Sequence, residues 1–219
     1  MEKKESPNKA ENIAPPKMAG FSNRIFGIIK FILGVCLLAF VYSYSVSFIN
    51  EISLIDKSLQ NDFWAGVITL LVVYLFIWEP SIVYIKGQKL VEIVFSFFKP
   101  LVRVAPYLLP IYTIILFILY GVLSFTLKSP SLINYFVFLF GLSVSLHLIF
   151  SAKSIRSKQG DFLKANYIFG FSLIYIINLM LLTFGFNLLF KDFSFVNFFN
   201  SSYQFTKAIY YAAFKQLFL

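Results

Sequence analysis

The side chains able to do chemistry gather in one part of this chain. Ser81, Gln88, Glu92, Ser96 and Lys99 follow one another at helical spacings, so a helix starting at Pro80 and running to about residue 98 carries them on one face, with Leu90, Val91, Val94, Phe95 and Phe98 around the rest. Lys89 and Glu92 are three apart and are spaced to pair. Glu79 and Arg103 flank this stretch, and His147 interrupts an apolar run further on; Glu79, Arg103 and His147 form the candidate intramembrane polar site. As a metal site the inventory is poor. Zinc takes His, Cys, Asp and Glu, and the chain has one His, one Cys and ten carboxylates, of which His147, Glu92 and a distant Asp161 make the best set. No catalytic residue, no metal and no cofactor is therefore expected, and no phosphate-cradling loop, nucleophile elbow or dinucleotide fingerprint is present.

These residues sit in a chain that is 59% hydrophobic, 20% aromatic and only 13% charged, with a mean hydropathy of +0.79. That composition defines an all-α integral membrane protein and sets aside nucleic acid as a partner despite the net charge of +9. Taking about 20 apolar residues per crossing, five transmembrane helices are expected, over residues 25–48, 63–85, 104–125, 132–151 and 167–190. Residues 1–24 read as a flexible cytoplasmic tail, residues 25–190 as the transmembrane domain, and residues 191–219 as an aromatic-rich tail forming an interfacial C-terminal helix. Lys and Arg alternate between connectors. Lys3, Lys4, Lys9, Lys17 and Arg24 precede the first span; Lys86, Lys89, Lys99 and Arg103 follow the second; Lys153, Arg156, Lys158 and Lys164 follow the fourth. The intervening connectors carry only Lys57 and Lys128. This pattern places the N-terminus in the cytoplasm, with an amphipathic cytoplasmic helix end after the second span. Lys30 is expected to snorkel to the interface. Gly27 and Gly34 in the first span, and Gly141, Ser143 and Ser145 in the fourth, mark close-packing faces, and Pro106 and Pro110 kink the third. Lone Cys36 excludes an internal disulfide.

The run Tyr84-Ile85-Lys86-Gly87-Gln88-Lys89-Leu90-Val91-Glu92 resembles the zinc-motif helix of intramembrane metalloproteases of the site-2-protease type, and more closely a group of uncharacterised bacterial membrane proteins related to them, in which the run reads Gly-His-Glu-Leu-Thr-His. The resemblance continues in Ala105-Pro106-Tyr107-Leu108-Leu109-Pro110-Ile111-Tyr112-Thr113, in His147 followed by Arg156, Gln159 and Asp161, and in the last span with its Asn178-Leu179, covering about residues 63–190. Set against that motif, Gln88 replaces the first histidine, Lys89 the glutamate that acts as general base, and Glu92 the second histidine. The Asp-Gly that supplies a third ligand has no counterpart, and the connector before Ala105 is shortened. The resemblance thus implies a protease-like scaffold with the zinc motif not retained.

The expected function is that of a non-catalytic multi-pass protein of the bacterial inner membrane, whose partners are the lipid bilayer and other membrane proteins. A small transporter or channel component, with Glu79, Gln88, Glu92, Arg103 and His147 lining a polar path, is the alternative. A residual membrane protease comes third.

Overall fold

A computed structural model describes residues 16–127, 129–157 and 167–218. In chain order the helices are α1 (Pro16–Ile52), α2 (Lys57–Val72), α3 (Ser81–Val94), α4 (Lys99–Leu108), α5 (Ile111–Leu127), α6 (Leu132–Ser157), α7 (Tyr167–Leu189) and α8 (Phe195–Phe218), with no strand among the described residues. Among the described residues, four stretches are long and apolar enough to cross a membrane: Ile25–Ile52, Lys57–Ile77, Leu132–Arg156 and Tyr167–Leu189. A fifth follows if Val102–Leu108 and Ile111–Leu127, bent by 68° at their junction, count as one span.

Several boundaries differ from those expected. Helix α1 begins at Pro16, within the stretch read as tail, at a first-turn position where proline gives up no hydrogen bond. Residues 1–15 of that tail lie outside the described residues, as does 158–166 with Lys158, Gln159, Asp161 and Lys164. Lys30 is 4% exposed, its ammonium 4.4 Å from the centre of the Phe26 ring.

The second span ends at Ile77 rather than at residue 85. Residues Val73–Ile77 form a π-helical turn, closed by Trp78 N donating to Val73 O at 2.8 Å, and Trp78 is extended at φ −162° and ψ 146°. Pro80 explains the stop, because it has no N–H to donate and disfavours helix at Glu79. The apolar Ile82-Val83-Tyr84-Ile85 that made the run look continuous belongs to α3, which ends at Val94 rather than near residue 98.

The bundle is organised by two parallel pairs. Helices α2 and α6 run together, as Asp62 meets Asn134 at 2.6 Å, Phe63 and Gly66 meet Gly141 and Phe138, and Leu70 shares a cluster with Leu146 and Phe150. Their backbones touch: a Cβ on Gly66 would lie 2.0 Å from Phe138 O, and one on Gly141 would lie 2.1 Å from Phe63 O. Helices α1 and α7 form the second pair, with Gly34 against the Phe169 backbone, Ser45 Oγ 2.7 Å from Tyr175 Oη, and Phe48 against Phe186. Helix α5 packs antiparallel to α6 through Thr113–Ser143, the stacked rings of Phe117 and Phe140, and Tyr120–Phe136.

Helix α8 does not lie across the end of the bundle as an interfacial helix would. Ser194 N donates to Glu51 Oε2 at 3.1 Å, the rings of Tyr44 and Phe198 are 5.3 Å apart, and Tyr210 Oη donates to Cys36 O at 2.7 Å. The partners on α1 therefore descend as α8 proceeds, and the two helices are antiparallel neighbours. Phe193 and Phe198, in the aromatic-rich tail expected to be interfacial, are 1% and 0% exposed and belong to the main core. The turn into α8 is fixed by Asn187 Oδ1, which accepts from Phe195 N, and by Ser194 Oγ, which accepts from Asn197 N as an N-cap.

Candidate functional site

The break between α4 and α5 is where the polar side chains converge. Helix α4 ends at Leu108 and α5 begins at Ile111, so Pro110 offers no N–H to the preceding turn and Ile111 N turns to Leu109 O at 2.9 Å. The carbonyls of Tyr107 and Leu108 lose their helical donors, and side chains from other helices replace them. His147 Nε2, on α6, lies 2.9 Å from Tyr107 O, and Ser151 Oγ donates to the same oxygen at 3.3 Å. Asn178 Nδ2, on α7, donates to Leu108 O at 3.1 Å and to Ile174 O at 2.8 Å. A carbonyl only accepts, so His147 must carry its proton on Nε2. His147, Ser151 and Asn178 are all buried, and a broken helix in an apolar bundle requires such partners.

A second chain of hydrogen bonds ties α3 to the same place. Gln88 Nε2 donates to Tyr84 Oη at 2.9 Å, Tyr84 Oη is 3.0 Å from Ser151 Oγ, and Ser151 continues to Tyr107 O. Burial pushes the Tyr84 phenol above its usual range, only partly offset by the Ser151 hydrogen bond, so it stays a protonated donor toward Ser151. Tyr112 Oη donates to Val83 O at 2.6 Å and packs over Gly87, where a Cβ would meet the Tyr112 ring at 2.7 Å. Between these groups is a void of about 10 Å³ lined by Tyr84, Gln88, Pro106, Ser143 and His147, space for about one water. Replacing Tyr84 by Phe is expected to lower stability by about 1 kcal/mol. Gln88→Ala should do less, because Gln88 is partly open to solvent; unfolding in mixed detergent micelles measures both.

On the other side of Tyr84 and Gln88 lies an open groove of about 400 Å³ bordered by Glu79, Ser81, Lys89, Glu92, Phe150 and Lys153. Glu79 pairs with Lys153 at 2.5 Å, the only ion pair among the described residues. The expected Lys89–Glu92 pair is not formed; both side chains are exposed. Of the face expected on this helix, Ser81, Gln88 and Glu92 line the groove, whereas Ser96 and Lys99 fall beyond the end of α3. Arg103 is exposed on α4 and borders neither space. His147 reaches the internal void and not the groove, so the expected set Glu79, Arg103 and His147 is not one site. No group of three His, Cys, Asp or Glu able to hold a metal ion occurs among the described residues.

Sequence reasoning missed Ser151 and Lys153 as partners, and passed over Gly66 entirely. Pro110 signals that carbonyls are freed, but nothing local says which side chains of α6 and α7 will face them.

Fold and site together define the class: an all-helical protein with, among the described residues, four helices long and apolar enough to span a membrane, five if the bent pair is one span, whose broken helix is closed by buried side chains. Comparison with protein-family models, with curated proteins and with solved structures finds no match.

Proposed function

We propose that this chain is a non-catalytic protein of the bacterial inner membrane, N-terminus in the cytoplasm, that acts by binding other membrane proteins. One observation carries the reading: His147, the single histidine of the chain, is committed with Ser151 to the Tyr107 carbonyl, and Glu79 and Glu92 stand in the groove that His147 does not line. A hydrolytic site needs a base and an electrophile converging on one reacting atom, and these groups do not converge. Kinship with intramembrane metalloproteases belongs to the same proposal. Its support is that Gln88, Lys89 and Glu92 stand on α3, which joins the His147 helix through Tyr84 and Ser151. The cytoplasmic N-terminus rests on the alternation of Lys and Arg between connectors.

The protein purified in mild detergent is expected to hold zinc only at background level by elemental analysis. Near-stoichiometric zinc that Glu92→Ala removes would overturn the reading. A transporter is the second reading, supported by the 68° break, since transporters use broken helices around their sites. Against it stands the occupation of the Tyr107 and Leu108 carbonyls by side chains. Reconstituted vesicles passing ions or solutes faster than empty ones would favour it.

A further inference from the structure

Helix α8 carries a polar stripe on the side turned away from the bundle. Its buried positions, Phe198, Ser202 and Thr206, recur every four residues and define the side packed on α1. Asn197, Asn200, Gln204, Lys207, Tyr211 and Lys215 recur at three and four residues, and every one of them is exposed. At about 100° per residue this second set falls within an arc of roughly 80°, centred opposite the first.

The position of α8 makes that stripe a problem of solvation. From Ser194, bonded to Glu51, to Tyr210, bonded to Cys36, α8 stands beside the apolar span of α1. At 1.5 Å per residue that distance is about 24 Å, most of a hydrocarbon core of about 30 Å. Lys207 lies within one turn of Tyr210 and is level with the middle of Ile25–Ile52. From there the nearest interface is about 15 Å away, beyond the reach of a lysine stem. An ammonium and the two amides of Asn200 and Gln204 facing hydrocarbon are expensive, and such groups in spans face protein or water. No carboxylate of the described chain pairs with Lys207.

We infer that this face of α8 docks a transmembrane helix of another protein that carries an Asp or Glu near mid-span. The inference rests on the partner-binding reading above and names its surface. The amides of Asn197, Asn200 and Gln204 both donate and accept, so they suit any polar partner, but Lys207 only donates and is charged. It selects an anion at its own depth. A second copy does not supply one, because a twofold axis along the membrane normal sets Lys207 against Lys207. Lipid phosphates do not reach this depth.

The test uses the full chain, with a donor fluorophore attached after Leu219, in phosphatidylcholine vesicles with acceptor-labelled Leu/Ala transmembrane peptides that differ only in a central Glu, Gln or Leu. The Glu peptide is expected to bind about fivefold or more tightly than the Gln peptide. Lys207→Gln, which touches no contact of α8 with α1, should remove that preference, and Lys207→Glu should transfer it to a peptide with central Lys. Equal capture of all peptides overturns the carboxylate inference and leaves partner binding standing. Self-association of the chain that the Glu peptide cannot displace overturns it in favour of a second copy. Capture of no peptide overturns it as well, and if solute flux exceeds that of empty vesicles the partner-binding reading falls too.

Discussion

Placing a leucine at Gly66 or Gly141 is expected to prevent folding, and alanine at either position should destabilise by about 1–3 kcal/mol or more. The two glycines are reciprocal, one on each helix of the α2–α6 pair, and the atoms each faces are backbone. A Cβ on Gly66 would meet Phe138 O at 2.0 Å and Leu142 N at 3.0 Å; one on Gly141 would meet Phe63 O at 2.1 Å and Val67 N at 3.2 Å. Backbone cannot rotate aside as a side chain can, so the helices themselves must separate, on the order of 1 Å, to restore ordinary contact. In an apolar surrounding there is little hydrophobic drive to hold them together against that shift, and packing at small residues is what remains. The displacement would also move α6 against α3, loosening Tyr84–Ser151. One separation relieves both clashes, so the double alanine variant should cost less than the sum of the singles. Gly27 and Gly121 have nothing within 4 Å of a built Cβ and serve as controls; alanine there should leave stability unchanged or slightly raised. Unfolding equilibria in mixed micelles, followed by circular dichroism, read all of these. Alanine at Gly66 behaving like alanine at Gly121 would mean that the helices do not approach as described.

The same residues show what a sequence exposes and what it withholds. Apolar length locates most of the spans because a bilayer sets the length of a crossing, and that constraint is local. It fails at residue 80, where the apolar run continues past a proline that ends the helix. Gly141 could be flagged because Ser143 and Ser145 accompany it on the same helix. Gly66 could not, since a single glycine in an apolar run does not show whether it faces lipid or a neighbour. Helix α8 has the composition of an interfacial helix, and only its contacts with Glu51, Tyr44 and Cys36 stand it beside α1. Of the polar site, His147 was visible by rarity. Its role was not, because the carbonyl it serves, that of Tyr107 on α4, lies forty residues away in the chain and loses its helical donor only when Ile111 N turns to Leu109 O. Gln88, Lys89 and Glu92 were visible by pattern, yet only Gln88 turns inward, toward Tyr84.

Asn178→Asp is expected to be among the most disruptive isosteric changes in the chain, and more so than Asn178→Leu. Asn178 is fully buried, and its Nδ2 donates to two carbonyls, Leu108 O on the broken helix and Ile174 O on its own. Leucine removes the donor and leaves Leu108 O, in a partly buried position, without it, a loss of about 1–3 kcal/mol. It also removes Oδ1, which has no hydrogen-bond partner among the described residues, and that partly offsets the loss. Aspartate keeps the shape but sets a carboxylate against those two carbonyl oxygens, in surroundings that solvate charge poorly, so a penalty of about 3–5 kcal/mol is expected. The Tyr107 carbonyl behaves differently because it has two donors. His147→Leu and Ser151→Ala should each cost about 1 kcal/mol, since the remaining side chain still donates. Together they strip the oxygen completely, and the double variant should exceed the sum of the singles. His147→Gln, which can still present an N–H, should recover part of the loss. Strict additivity of His147 and Ser151, with no rescue by glutamine, would show that the histidine is not there to close the helix break and would return it to the list of candidate chemical groups.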